Sequence, residues 1–367
     1  MDVTQPLPWS APTLVALRAT QTRHVHAILL FGPAGIGKKA AALEFARWQL
    51  CESPNADGSA CGHCSSCALM ATRNHPDLRM VVPDALAHWR PVANDSDDDE
   101  GDVSNQSGPS EAEAEPDPAR GRRRVSNEIL LAQVQGWPDF FNLTTHRGGR
   151  RVVVAAPVES LHREAANFVL KMLEEPPPRS LLLLVSDQLD EVLPTIRSRC
   201  VLVRASVPTW AQSLTWLKQQ GAADAEAELA AAGGAPLVAL EGAAGRTNER
   251  SESELRQTLL KMLAQGGRLH PAEIAARIPA RLEIAPAIAL FQRWSADLLL
   301  FRATGKVRYH GAQAVAIARI ATMLVPARVL LWWSELAQMR ASAEHPLNSR
   351  LVVEAALLGY VRALSPA

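Results

Sequence analysis

The sequence predicts an α/β chain, with a parallel-sheet domain in its first part and an all-helical final third. Three observations lead there. The runs AILLF (27–31), RVVVAA (151–156) and LLLLVS (181–186) read as short strands, apolar throughout as strands covered on both faces are. Helical patterns lie between them, which is the alternation that builds a parallel sheet. Beyond about residue 206 only amphipathic helical patterns remain. A length of 367 residues is enough for two or three domains. Hydrophobic residues make up 47%, enough for ordinary packed cores. The net charge is zero, so any contact with DNA must rest on a local patch or on partners. No basic-then-apolar leader opens the sequence, and the apolar runs fall short of the ~20 residues of a membrane span. The expectation is a cytoplasmic protein.

The first strand runs into LLFGPAGIGKKAA (29–41), which resembles a phosphate-binding loop, and residues 38–50 read as the helix that such a loop opens. Gly32, Gly37 and Lys38 fit the pattern G-x-x-x-x-G-K-[ST], with Gly35 inside the turn. The last position should carry a hydroxyl to hold magnesium, and Lys39 stands there instead. A working site also needs an acid at the end of a neighbouring strand. The strand at 151–156 ends in Ala156-Pro157, with Glu159 two residues further on. Two independent losses argue against hydrolysis by this chain. The residues favour a retained turn joining strand to helix, and leave open nucleotide binding without turnover.

Immediately after that helix comes CESPNADGSACGHCSSC, with Cys51, Cys61, Cys64 and Cys67 spaced C-x9-C-x2-C-x2-C. Four thiolates satisfy a tetrahedral zinc ion with no open position, the structural kind of site. A redox pair is the alternative reading. His63 and His75 lie close enough in sequence to compete as ligands, and Cys200 stands apart as a small apolar residue. Residues 94–124 carry ten acids from Asp95 to Asp117 and then Arg120, Arg122, Arg123 and Arg124. With almost no apolar content, this insert cannot bury a core and reads as a disordered loop.

SLHREAANFVLKMLEE (160–175) repeats apolar residues at helical spacing and stops at Pro176–Pro178. Ala-rich helical patterns run from 207 to 245, and GRTNERSESE (245–254) reads as a polar linker. Past it, PAIALFQRWSADLLLF places Leu290, Phe291, Trp294 and Leu298 on one face; 327–339 and 348–364 are similarly amphipathic, as in a helical bundle.

Taken together, CGHCSSCALM followed by NHPDL (74–78), AANFVLKMLEEPP (165–177), LPTIRSRC (193–200) and NSRLVVEAALL (348–358) resemble the delta-prime family of bacterial DNA polymerase III clamp-loader subunits, of the AAA+ class. The resemblance covers most of the chain except the acidic insert. It implies an AAA+ type sheet domain over 1–205, with a zinc module at about 51–67, a small helical lid at 206–247 and a helical collar at 248–367. It implies that Arg199, in Ser198-Arg199-Cys200, acts in trans as an arginine finger at a neighbour's ATP site. It also implies partners: ATPase subunits of the tau/gamma kind, a clamp-opening delta subunit, and the sliding clamp and primed DNA through the complex, with no membrane. The alternative within the family is an ATP-hydrolysing motor subunit; outside it, the alternative is a zinc-dependent nucleic-acid module, which the scarcity of bases around 45–80 disfavours.

Overall fold

The computed structural model describes residues 7–23, 25–72, 74–89, 126–143, 149–248, 250–279, 282, 284–341 and 348–365; the acidic insert lies outside them. The chain divides into two compact units, Met1–Pro208 and Thr209–Ala367.

The first unit is built on a five-stranded, wholly parallel sheet of β1 (Ala27–Phe31), β2 (Leu78–Val81), β3 (Arg151–Ala155), β4 (Ser180–Ser186) and β5 (Val201–Arg204), ordered β2-β3-β4-β1-β5. The three strands read from sequence are the three central ones. Side chains alternate across a strand, so the central strands feed two separate cores. Ile28, Leu30, Val152, Val154, Leu181 and Leu183 pack on one face with Ala41, Ala42, Phe45 and Ala46 of a helix; Ala27, Leu29, Val153, Ala155, Leu182 and Leu184 pack on the other. Each large apolar side chain buried this way contributes about 1.5–3 kcal/mol.

The helices of this unit are α1 (Ala11–Ala19), α2 (Lys38–Leu50), α3 (Ser65–Ala71), α4 (Leu131–Val134), α5 (Trp137–Asn142), α6 (Arg163–Glu174) and α7 (Pro194–Arg197). In α6, Ala165, Val169, Met172 and Leu173 face the sheet. The helix ends before Pro176, whose ring disfavours helical geometry in the residue ahead of it. This is the parallel α/β sheet that the alternation of strands and helices predicts.

The second unit is all helix: α8 (Trp210–Gln219), α9 (Ala225–Ala231), α10 (Pro236–Asn248), α11 (Arg250–Gln265), α12 (Pro271–Arg277), α13 (Ile284–Thr304), α14 (Ala314–Met323), α15 (Pro326–Ala341) and α16 (Ser349–Leu364). The stretch at 245–254, read as a linker from its polarity, is instead helical on both sides of residue 249. Arg and Glu are good helix formers even without an apolar face, so polarity alone misleads there.

The core of this unit turns on large aromatics whose polar atoms are all satisfied. Trp294 Nε1 donates to the Tyr360 hydroxyl at 3.1 Å, that hydroxyl donates to the Leu263 carbonyl at 2.8 Å, and Trp332 Nε1 donates to the Ala356 carbonyl at 2.9 Å. By length and composition α13 could cross a membrane, but half of its apolar window is buried, with Phe291, Trp294 and Leu298 in the core.

The same helix buries a carboxylate. Asp297 accepts the backbone N–H of Arg308 at 2.8 Å, of Tyr309 at 3.0 Å and of His310 at 2.9 Å, and pairs with His310 Nδ1 at 2.9 Å. Burial pushes the Asp297 pKa up, but the hydrogen bonds from His310, Tyr309 and Arg308 outweigh it and hold the group below the usual carboxylate range. A lowered folded-state value means stability that is present above the unfolded value of about 3.9 and is lost as pH falls through the folded one. Asp297→Asn should therefore flatten the acid limb of the stability profile below about pH 4. Asp297→Ala, which orphans the buried amides, should cost about 3 kcal/mol or more in urea unfolding at pH 7.

Candidate functional site

The phosphate-type loop sits where β1 turns into α2, at the carboxyl end of the sheet. Gly35 (φ 73°) and Gly37 (φ 91°) take left-handed backbone that side chains resist, and Gly37 caps α2. The loop is fastened from within. Trp9 Nε1 donates to the Ile36 carbonyl at 2.7 Å. Lys38 is only 3% exposed. Its ammonium donates to the Pro33 carbonyl and pairs with Asp187 Oδ1 at 2.5 Å. Asp187 follows directly on β4, the neighbour of β1, with Phe31 and Ser186 in register.

The groups that would hold magnesium are missing from their places. Lys39 offers no oxygen, and β3 runs out into Ala155, Ala156 and Pro157. Glu159 comes from the turn that follows. Its Oε1 accepts the N–H of Asp187 at 2.7 Å and of Gln188 at 3.2 Å, so the carboxylate braces the chain after β4. Burial pushes its pKa up. Sequence reading pointed to Glu159 and missed Asp187, whose only signal was its place one residue after a strand.

Arg199 lies just past α7 and is exposed. Its Nη1 donates to the Thr195 carbonyl at 3.1 Å, and its Nη2 to Glu174 Oε1 at 2.6 Å. Glu174 is the first Glu of LEEPP; twenty-five residues separate the partners, and no local pattern reveals the pair. Cys200 is half-buried, and burial raises its thiol to about 12.

The four cysteines of 51–67 converge. Cys51 ends α2, Cys61 and Cys64 flank a tight turn, and Cys67 lies on α3. Their sulfurs lie within 4.8 Å of one another, with Cys51–Cys67 at 3.8 Å, Cys51–Cys64 at 3.9 Å and Cys61–Cys67 at 4.0 Å. A tetrahedron of sulfurs about 2.3 Å from one ion has edges of about 3.8 Å, so this set fits a closed metal–thiolate centre. Backbone N–H groups already point at the sulfurs: Cys61 to Cys51 at 3.3 Å, Cys64 to Cys61 at 3.4 Å, and Cys67 to Cys64 at 3.4 Å. The backbone N–H of His63 is the main influence holding the Cys61 thiol down, to about 5, while burial pushes Cys67 up to about 12. Neither nearby histidine joins this set: His63 Nδ1 lies 2.9 Å from the Cys61 carbonyl, and His75 Nδ1 accepts the Asp77 N–H at 3.1 Å.

A family model described as DNA polymerase III, delta subunit, matches residues 13–208. The DNA polymerase III subunit delta' of Pseudomonas aeruginosa is 31% identical over 361 residues, which is 94% of each chain. The subunit of the same name from Escherichia coli K12 is 27% identical over 375 residues, covering 98% of this chain and 96% of its own. Among solved structures, a DNA polymerase III gamma subunit-related protein of Thermotoga maritima aligns over 96% of this chain and 100% of its own, at 16% identity and a TM-score of 0.39.

Proposed function

Because the chain belongs to the DNA polymerase III delta-prime family, we propose that it serves the clamp loader as a subunit that does not hydrolyse ATP and instead lends Arg199 to a neighbouring subunit's ATP site. The observation that carries this reading is the phosphate loop itself. It keeps its glycines and Lys38, but Lys39 replaces the metal-binding hydroxyl and no acid ends β3. Lys38 is engaged by Asp187. With no hydroxyl at Lys39 to hold magnesium, no acid at the end of β3, and Asp187 committed to Lys38, little remains to drive phosphoryl transfer.

What remains useful for that chemistry is a cation on the outside. Arg199 is exposed, and its guanidinium is held by two partners on the protein surface, the Thr195 carbonyl through Nη1 and the exposed Glu174 carboxylate through Nη2. Arg199 would reach across a subunit boundary, where its planar charge matches that developing on a transferred phosphoryl group. The neighbours would be ATPase subunits of the tau/gamma kind and the clamp-opening delta subunit. The complex would open the sliding clamp and load it on primed DNA, in the cytoplasm. The cysteine centre would hold zinc in a structural role. Residues 206–247 would form the lid and 248–367 the collar through which subunits assemble.

The preserved Gly35, Gly37 and Lys38 favour one competing reading, an ATP-hydrolysing motor subunit. The isolated chain at saturating Mg-ATP separates the two. No turnover is expected, whereas turnover abolished by Lys38→Ala would establish the motor. Omitting the chain from a reconstituted loader should abolish clamp- and DNA-stimulated hydrolysis.

A further inference from the structure

We propose that Asp187 is an internal latch on the phosphate loop: its carboxylate holds Lys38 in place of a phosphate, and neutralising it opens a metal-independent site for a nucleoside di- or triphosphate. This rests on the non-hydrolysing reading of the loop but fails separately from it.

Lys38 is the only charged donor that the loop pattern aims at a polyphosphate, and two of its three N–H donors are spent inside the chain, on Pro33 and Asp187. Asp187 is a fixed partner. Glu159 Oε1 grips its N–H at 2.7 Å and that of Gln188 at 3.2 Å, so the acid is presented to the loop from behind. Its side chain is about one-third exposed, which leaves it room to swing away.

Charge completes the argument. One carboxylate, Asp187, lies on the buried ammonium, and a second, Glu159, holds the backbone of that same residue. In a magnesium-dependent site the ion separates the protein's acids from the phosphates. Here Lys39 supplies no oxygen to help hold that ion, so a polyphosphate entering the loop meets Asp187 directly and must displace it from Lys38. Like charges brought together raise the binding free energy steeply.

The test uses the full chain as wild type, Asp187→Asn, Glu159→Gln and the double variant Asp187→Asn/Lys38→Ala. Each is titrated with N-methylanthraniloyl-ADP in magnesium-free buffer without chelator, which would strip the cysteine centre. Asn keeps the size of the side chain and still accepts from Lys38, but carries no charge. Asp187→Asn is expected to bind about tenfold tighter than wild type or better. Inorganic pyrophosphate should compete, the double variant should lose the gain, and Glu159→Gln should show a smaller gain. Should Asp187→Asn shift the unfolding midpoint, Asp187→Ser reads the same prediction. Equal binding by wild type and Asp187→Asn, or a gain that survives Lys38→Ala, overturns the latch. Hydrolysis of Mg-ATP by Asp187→Asn would instead overturn the non-hydrolysing reading and leave the latch standing.

Discussion

Arg199→Ala in a reconstituted clamp loader is expected to slow ATP hydrolysis at the adjoining site by roughly 10³-fold, the lower end of what an arginine supplied in trans contributes. The steady-state rate of the complex should fall less, since sites not facing this chain keep their own chemistry. Single-turnover measurement with clamp and primed DNA therefore gives the sharper reading. Arg199→Lys should recover little, because a point-like ammonium cannot present two parallel donors to phosphoryl oxygens. The pair with Glu174 is no obstacle to this role. It joins two exposed side chains, and such pairs contribute about 0–1 kcal/mol, so the guanidinium can exchange partners at little cost. Glu174→Gln should leave the rate near wild type. An undiminished single-turnover rate in Arg199→Ala would remove the role in trans.

If the cysteine centre holds zinc as proposed, Cys64→Ser is expected to carry less metal than wild type and to lower the unfolding midpoint by roughly 5–10 °C. The substitution is chosen for what it spares. The Cys64 side chain caps α3 by accepting the Cys67 N–H, and serine caps a helix well. What serine cannot supply near neutral pH is a thiolate, so the loss reports the metal alone. Structural zinc contributes about 10–16 kcal/mol of binding free energy in zinc-finger peptides; part of that would be spent here on ordering residues 51–67. Chelation of the wild type should reproduce the shift and added zinc reverse it, while Cys200→Ser should keep full metal content. Unchanged metal and midpoint in Cys64→Ser would strike the centre from the account.

The central strands were legible because burial on both faces forces an unbroken apolar run, as in AILLF and LLLLVS. β2 and β5 escaped for the converse reason: they are sheet edges of four residues each, with Arg79 in one and Leu202 and Arg204 exposed in the other. The cysteine centre was legible because its ligands are near neighbours whose spacing is itself the signal. The polar pairs were not. Lys38 with Asp187, Arg199 with Glu174 and Asp297 with His310 join residues whose meeting is decided by strand order and helix packing, which no local pattern records. The polar stretch at 245–254 misled in the opposite sense, since helix formation there needs no apolar stripe.

α2 starts in the phosphate loop and stops at the first cysteine. Thirteen residues rising 1.5 Å apiece make a rod of about 20 Å, tied at its head through Lys38, at its tail through Cys51, and along its flank by Phe45 and Ala46 wedged beneath the sheet. A strut anchored at three points transmits a displacement where a free helix would absorb it. Strain applied to the cysteine knot should thus be felt at the opposite end, in how firmly Lys38 keeps its grip.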